Sequence, residues 1–123
     1  MPDPRHLLGA RAEAATAAWL TARGWIVVAR RWRGPAGELD IVAFDTDGTL
    51  VAIEVKLRRT GRAGGPFDAI DRRRVRRQRA TLTAFRTANG SSSGQGLRID
   101  LVAVRPAGDG RWRLSHLRAI DEW

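Results

Sequence analysis

Two short strings hold the residues best suited to chemistry, Glu38-Leu39-Asp40 and Glu54-Val55-Lys56. Each lies on a predicted strand, Glu38–Phe44 and Leu50–Leu57, and the strands are joined across Asp45-Thr46-Asp47-Gly48-Thr49. Strand residues two apart share a face, so Glu38 aligns with Asp40, and Glu54 with Lys56. The loop decides whether the two pairs meet. A three-residue loop, Thr46-Asp47-Gly48 with Gly48 left-handed, sets Asp40 opposite Glu54, their Cβ atoms about 4.5–5.5 Å apart. A two-residue Asp47-Gly48 turn sets Asp40 against Val55 and sends the carboxylates to opposite faces. Facing carboxylates repel and gain protons unless they share a cation. Mg²⁺ suits such a pair, because it takes one or two carboxylates, keeps several waters and accepts phosphate oxygens. Such an ion polarises a phosphodiester and acidifies a bound water, while Lys56 positions or deprotonates the attacking water.

Lys56 is the only lysine in the 123 residues; every other Lys-or-Arg position is arginine. Arginine is a permanently charged fork, whereas lysine is a compact charge whose pKa shifts readily enough for proton chemistry. Each motif alone has an ordinary reading: an exposed Glu-x-Lys strand makes a surface ion pair, and Glu-x-Asp leads into a strand. Their spacing on one hairpin, with the sole lysine, brings the catalytic reading level with these.

The elements that must position them follow from periodicity and breakers. An Ala-rich helix runs from Leu8 to about Arg23, with Ala15, Ala18, Trp19 and Ala22 on one stripe, and stops at Gly24. Trp25–Ala29 reads as a strand, and Arg30 to Gly37 as a basic turn around Gly34-Pro35. Beyond the hairpin, Arg58 to Pro66 is a Gly- and Arg-rich loop, and a second helix is expected over Phe67–Ala88 with Val75, Leu82 and Phe85 on its apolar side. Asn89 to Gly96 is a Gly/Ser loop, and Leu97–Val104 and Arg111–Leu117 complete the strands. The order αβββαββ predicts one α/β (α+β) domain over residues 1–123, a small mixed sheet flanked by helices. Trp19, Trp25 and Trp32 are assigned to packing.

The formal charge of +9 points to a polyanionic partner, DNA or RNA before an acidic protein. Arg72, Arg73, Arg74, Arg76, Arg77 and Arg79 load the second helix with more charge than a solvated face needs, and Arg58, Arg59 and Arg62 extend it into the preceding loop. The chain has no cysteine, and His6 and His116 form no ligand pattern, so disulfides and soft-metal sites are excluded. No apolar run has membrane-spanning length and no signal peptide is visible, which predicts a cytoplasmic protein without a membrane partner.

Gly37-Glu38-Leu39-Asp40-Ile41-Val42-Ala43 followed by Ile53-Glu54-Val55-Lys56-Leu57-Arg58 resembles the uncharacterised bacterial YraN-type family of the restriction-endonuclease-like (PD-(D/E)xK) superfamily. The likeness extends to Gly9-Ala10-Arg11-Ala12-Glu13, to the basic helix and to Arg98-Ile99-Asp100-Leu101-Val102, spanning about residues 8 to 104. It implies that Asp40 and Glu54 hold Mg²⁺ or Mn²⁺ with the Val55 carbonyl, that Lys56 is the base or water-orienting residue, and that Glu13 matches a helix-borne metal ligand of resolvase-like members. A helix-surface glutamate is the alternative for Glu13; Glu38 is expected behind the ligands or in a structural role. The chain departs from the family at Arg31, Leu57 and Arg74, where Asn, Thr and Lys are usual. The two arginines are expected to add charge only, and Leu57 removes a hydroxyl beside the site. The implied activity is metal-dependent hydrolysis of DNA, branched or flapped forms included. A non-catalytic nucleic-acid-binding module and an adaptor in DNA processing are the other readings, since fold and function separate.

Overall fold

The computed structural model describes residues 3–58, 70–90 and 96–123. Helix α1 (Pro4–Ala22) is followed by strands β1 (Ile26–Gly34), β2 (Gly37–Phe44) and β3 (Leu50–Leu57), helix α2 (Arg72–Ala88), and strands β4 (Leu97–Pro106) and β5 (Trp112–Leu117). A 3₁₀ turn, Ile120–Glu122, ends the chain. The αβββαββ order is that read from the sequence. The strands form one sheet in the order β1-β2-β3-β4-β5, antiparallel except for the β3–β4 pair. That parallel pair requires the α2 crossover.

The two helices lie on opposite faces. Val75, Leu82 and Phe85 of α2 pack on Leu39, Val42, Leu50, Ala52, Ile99 and Leu101. Ala12 and Leu20 of α1 pack on Ile41, Ala43, Val51, Ile53, Val102 and Val104. Strands β3 and β4 are therefore covered on both sides, which is why they read as continuous apolar runs.

Helix α1 starts earlier than predicted because Asp3 caps it, accepting the Arg5 N–H at 2.9 Å, with Pro4 in the first turn. Its buried stripe is Ala12, Thr16 and Leu20 with Glu13, whereas Ala18 and Ala22 of the predicted stripe are exposed. Alanines on every side leave the facing direction undetermined in the sequence. Helix α2 starts at Arg72, capped by Asp71, whose extended backbone replaces the predicted earlier helical residues; residues 67–69 lie outside the described set.

The segment assigned to a basic turn is the second half of β1. Gly34 and Gly37 face each other across Pro35-Ala36, and a Cβ on Gly34 would stand 2.5 Å from the Trp32 ring. Trp32 itself meets Phe85 of α2 edge-on at 5.2 Å. Charged residues form a strand here because β1 is an edge whose arginines reach helix carboxylates and solvent.

Where β2 leads into the hairpin loop, a polar network joins the strands. Arg98 bonds Asp45 at 2.7 Å and Asp100 at 2.8 Å. His116 lies 2.8 Å from Asp100 and between the Trp19 and Trp25 rings, which confirms those two as packing residues. Asp121 accepts the Ile99 N–H at 3.1 Å and pairs with Arg79 of α2, tying the C-terminus to the sheet. Among the described residues no helix is long and apolar enough to cross a membrane.

Candidate active site

The hairpin takes the three-residue option. Gly48 is left-handed (φ +83°), the Asp45 N–H donates to Thr49 at 3.0 Å, and Phe44, Ala43, Val42 and Ile41 face Leu50, Val51, Ala52 and Ile53. The ladder then ends. Strand β3 continues to Leu57 against β4 alone, and the β2–β3 seam opens beyond Ile53. The loop count predicts Asp40 directly opposite Glu54 as a paired position. Instead the Asp40 side chain enters the opening, where Oδ2 accepts the Val55 N–H at 2.9 Å. On the far side of β2, Arg31, bracketed by the Arg30–Ile41 and Trp32–Leu39 pairs, has φ +51° opposite Asp40.

Strand N–H groups lie in the sheet plane, so the Asp40 carboxylate sits in the seam itself. The N–H and C=O of one strand residue leave by the same edge. Leu50 N–H bonds Gly96 at 3.0 Å and Arg58 N–H bonds Val104 at 2.8 Å, so even-numbered residues of β3 serve β4. Val55 therefore turns its carbonyl, like its N–H, towards Asp40.

Glu54 and Lys56 follow Ala52 onto the α2 face. Glu54 is only 5 % exposed, and its Oε1 lies 2.5 Å from Nε of Arg74 on α2. It is thus no partner in a surface Glu-x-Lys pair; among the described residues no carboxylate pairs with the half-buried Lys56. Glu13 is buried rather than on the outer helix surface, held by Arg30 at 3.1 Å and Arg31 at 3.4 Å. The departures at Arg31 and Arg74 thus do more than add charge, since each guanidinium binds a candidate ligand. Glu38 is exposed and pairs with Arg33 at 2.8 Å.

A cleft of about 720 Å³ opens on the α1 side, with Glu13, Arg31, Arg33, Glu38, Asp40 and Val55 among its walls. Burial raises the Asp40 pKa above the usual aspartate value; the Val55 N–H opposes this, the charges of Glu54 and Glu13 add to it, and Arg74 works against them. Asp40 is therefore in electrostatic reach of both Glu54 and Glu13. Asp40, Glu54 and the Val55 carbonyl are the donor types Mg²⁺ takes, so by donor chemistry the residues fit such an ion. Among the described residues no group of three or more His, Cys, Asp or Glu stands arranged for a metal, and guanidinium groups bind Glu54 and Glu13.

Of the arginines assigned to nucleic acid, Arg72, Arg73, Arg76 and Arg77 are exposed on α2, and the last three flank Ala80 in a shallow outer groove. Arg79 is instead held by Asp121 and the Leu97 carbonyl. Arg58 is half-buried at the end of β3, and Arg59 and Arg62 lie outside the described residues. Sequence reasoning gave no site role to Arg30, Arg31 and Arg74. Arg74 had one signal: it precedes Val75 and stands four residues before Gln78, at the border of the apolar stripe.

A profile of the uncharacterised protein family UPF0102 matches residues 12–104, which hold every candidate ligand and Lys56. The chain belongs to this family. UPF0102 proteins of Beutenbergia cavernae and Renibacterium salmoninarum are both 42 % identical to it. The first matches over 116 residues, 94 % of this chain and 97 % of its own; the second over 114, 92 % and 94 %. Among solved structures, the UPF0102 chain is similar to one from a complex of EndoMS with double-stranded DNA, at TM-score 0.46 and 21 % identity, covering 79 % of this chain and 38 % of that one. It is also similar to a repair endonuclease from Pyrococcus abyssi, at TM-score 0.45 and 20 % identity, covering 80 % and 39 %.

Proposed function

We propose that this UPF0102 protein is a Mg²⁺-dependent nuclease that hydrolyses DNA phosphodiesters, with branched or flapped DNA as the substrate class. The observation that carries the reading is the opened β2–β3 seam. There the Asp40 carboxylate is fixed on the Val55 N–H, the Val55 carbonyl faces the same gap, and buried Glu54 lies within electrostatic reach. A bound divalent cation supplies polarisation of the phosphodiester and a more acidic water. The chain supplies the rest. Asp40 and Glu54 hold the cation, the Val55 carbonyl completes its protein ligands, and Lys56 Nζ orients the attacking water. Arg73, Arg76 and Arg77 contact phosphates without reading sequence. Glu13, paired with Arg30 and Arg31, lines the wall of the cleft beside Arg31.

One observation favours the non-catalytic binding module instead: Glu54 and Glu13 are already neutralised by arginines. The two readings separate in a cleavage assay with single-stranded, duplex, flapped and four-way DNA in Mg²⁺ or Mn²⁺. Metal-dependent cutting lost in Lys56→Ala supports the nuclease; salt-sensitive binding with no cutting of any substrate supports the module.

A further inference from the structure

We propose that Arg74 is the counter-cation of the metal-free site, so that the Arg74–Glu54 ion pair and metal loading compete for one carboxylate, with Gln78 receiving the released guanidinium. The inference rests on the proposed metal site and adds a residue that controls its loading.

A carboxylate as buried as Glu54 needs a positive partner or a proton. Lys56 is two residues away on the same face, yet the partner is Arg74, with Nε 2.5 Å from Oε1. A guanidinium at that distance occupies one oxygen of Glu54 and neutralises the charge a metal would draw on, so the two compete for the carboxylate.

Arg74 is built to leave. Its backbone is fixed in the first turn of α2, where the Asp71 side chain accepts the Arg73 N–H at 3.0 Å and the Arg74 N–H at 3.5 Å. Its side chain is long and 52 % exposed, so the guanidinium can swing without moving the helix. A place to go adjoins it. Between α2 and the β1–β2 hairpin lies a cavity of about 190 Å³ walled by Arg74, Gln78, Thr81, Gly37 and Glu38, with Arg77 at its side. Gln78 is 8 % exposed, and among the described residues its Oε1 is the buried side-chain acceptor with no hydrogen-bond partner. Residues four apart on a helix are neighbours, so Arg74 stands one turn from that oxygen and lines the same cavity. One position of Arg74 satisfies Glu54 and leaves Gln78 unpaired; the other satisfies Gln78 and frees Glu54. The unpartnered Gln78 oxygen is what the first position leaves behind.

The test is calorimetric titration of the intact protein with Mn²⁺ and Mg²⁺, paired with the Arg74 Nε–H resonance. Arg74→Gln removes the competing cation and is expected to bind metal about tenfold more tightly than wild type. Arg74→Lys, which keeps a charge but loses the fork, falls between them and serves if the glutamine variant folds poorly. Gln78→Leu, remote from the metal, removes the second seat and is expected to weaken metal binding severalfold while raising the melting temperature of metal-free protein. In wild type the Arg74 Nε–H resonance shifts in step with metal. Equal affinities in wild type, Arg74→Gln and Arg74→Lys, with an unmoved Arg74 resonance, overturn the exchange and leave the metal site standing. Absence of binding heat in wild type and all variants overturns both.

Discussion

The Asp40 carboxylate occupies a rung of the sheet: its Oδ2 accepts the Val55 N–H at 2.9 Å where the β2–β3 backbone ladder has ended one pair earlier. A side chain thus closes the hydrogen bond that a strand carbonyl would otherwise make. The carboxylate is fixed in the plane of the sheet at the cost of burial beside two other acids.

That cost has a pH signature. The folded-state pKa of Asp40 is raised, chiefly by burial. The protonated form is therefore favoured by folding, a contribution fully present below the unfolded value near 3.8 and lost as pH rises through the folded pKa. Asp40→Asn mimics the protonated form and keeps an acceptor for Val55. Metal-free Asp40→Asn is expected to melt a few degrees above wild type at neutral pH, with the gain vanishing as the pH is lowered into the aspartate range. Thermal melts at several pH values check this; a variant less stable than wild type at neutral pH contradicts it.

Asp100 carries the opposite sign. Burial pushes its pKa up but is outweighed by His116, Arg98 and the Ala119 N–H, which hold it below the usual value of 3.8. Its stabilisation is present above the unfolded pKa and disappears as pH falls through the folded one. Asp100→Asn is expected to cost about 2–3 kcal/mol at neutral pH, less than the roughly 3–5 typical of a broken buried pair, because Asp45 still holds Arg98. The loss should shrink in acid. Urea melts at neutral and acidic pH measure both arms.

The arginines of α2 divide into two groups. Arg73, Arg76 and Arg77 face outward, whereas Arg79 is clamped to Asp121 and Leu97. Reversing the first three to Glu is expected to weaken DNA binding for all sequences alike. It should also flatten the salt dependence by about 0.9 log units per log unit of salt for each duplex phosphate no longer neutralised. Arg79→Glu should instead lower the melting temperature, since it sets two acids against each other. Anisotropy titrations over a salt series, beside melting curves, distinguish the groups; unchanged binding in the triple variant moves the partner surface elsewhere.

Much of this architecture is legible in the sequence. The continuous apolar runs of β3 and β4, the Asp47-Gly48 turn and the breakers carry element order and hairpin register, because each rests on local chemistry. The facing of α1 is not legible, since alanine on every side carries no direction, and Glu13 is consequently left between inside and outside. The extension of β1 through Arg30–Arg33 is hidden because edge strands need not be apolar. Asp40 in the seam stands opposite the left-handed backbone of Arg31, for which a non-glycine residue gives no local warning. The pairing of Arg74 with Glu54 joins α2 to β3 across a tertiary contact, which spacing along the chain cannot reveal.

The central claim is that Asp40, Glu54 and Lys56 form a hydrolytic site. Its most direct test is cleavage of labelled flapped and four-way DNA in Mg²⁺ by wild type and Lys56→Ala at matched DNA occupancy. Wild type is expected to cut in a reaction abolished by chelator, and Lys56→Ala to bind the same DNA with similar affinity while cutting at least about a hundredfold more slowly, the scale on which a positioned proton-transfer group acts. Equal cutting by both proteins, or none by wild type in Mg²⁺ or Mn²⁺ with DNA fully bound, would contradict the assignment.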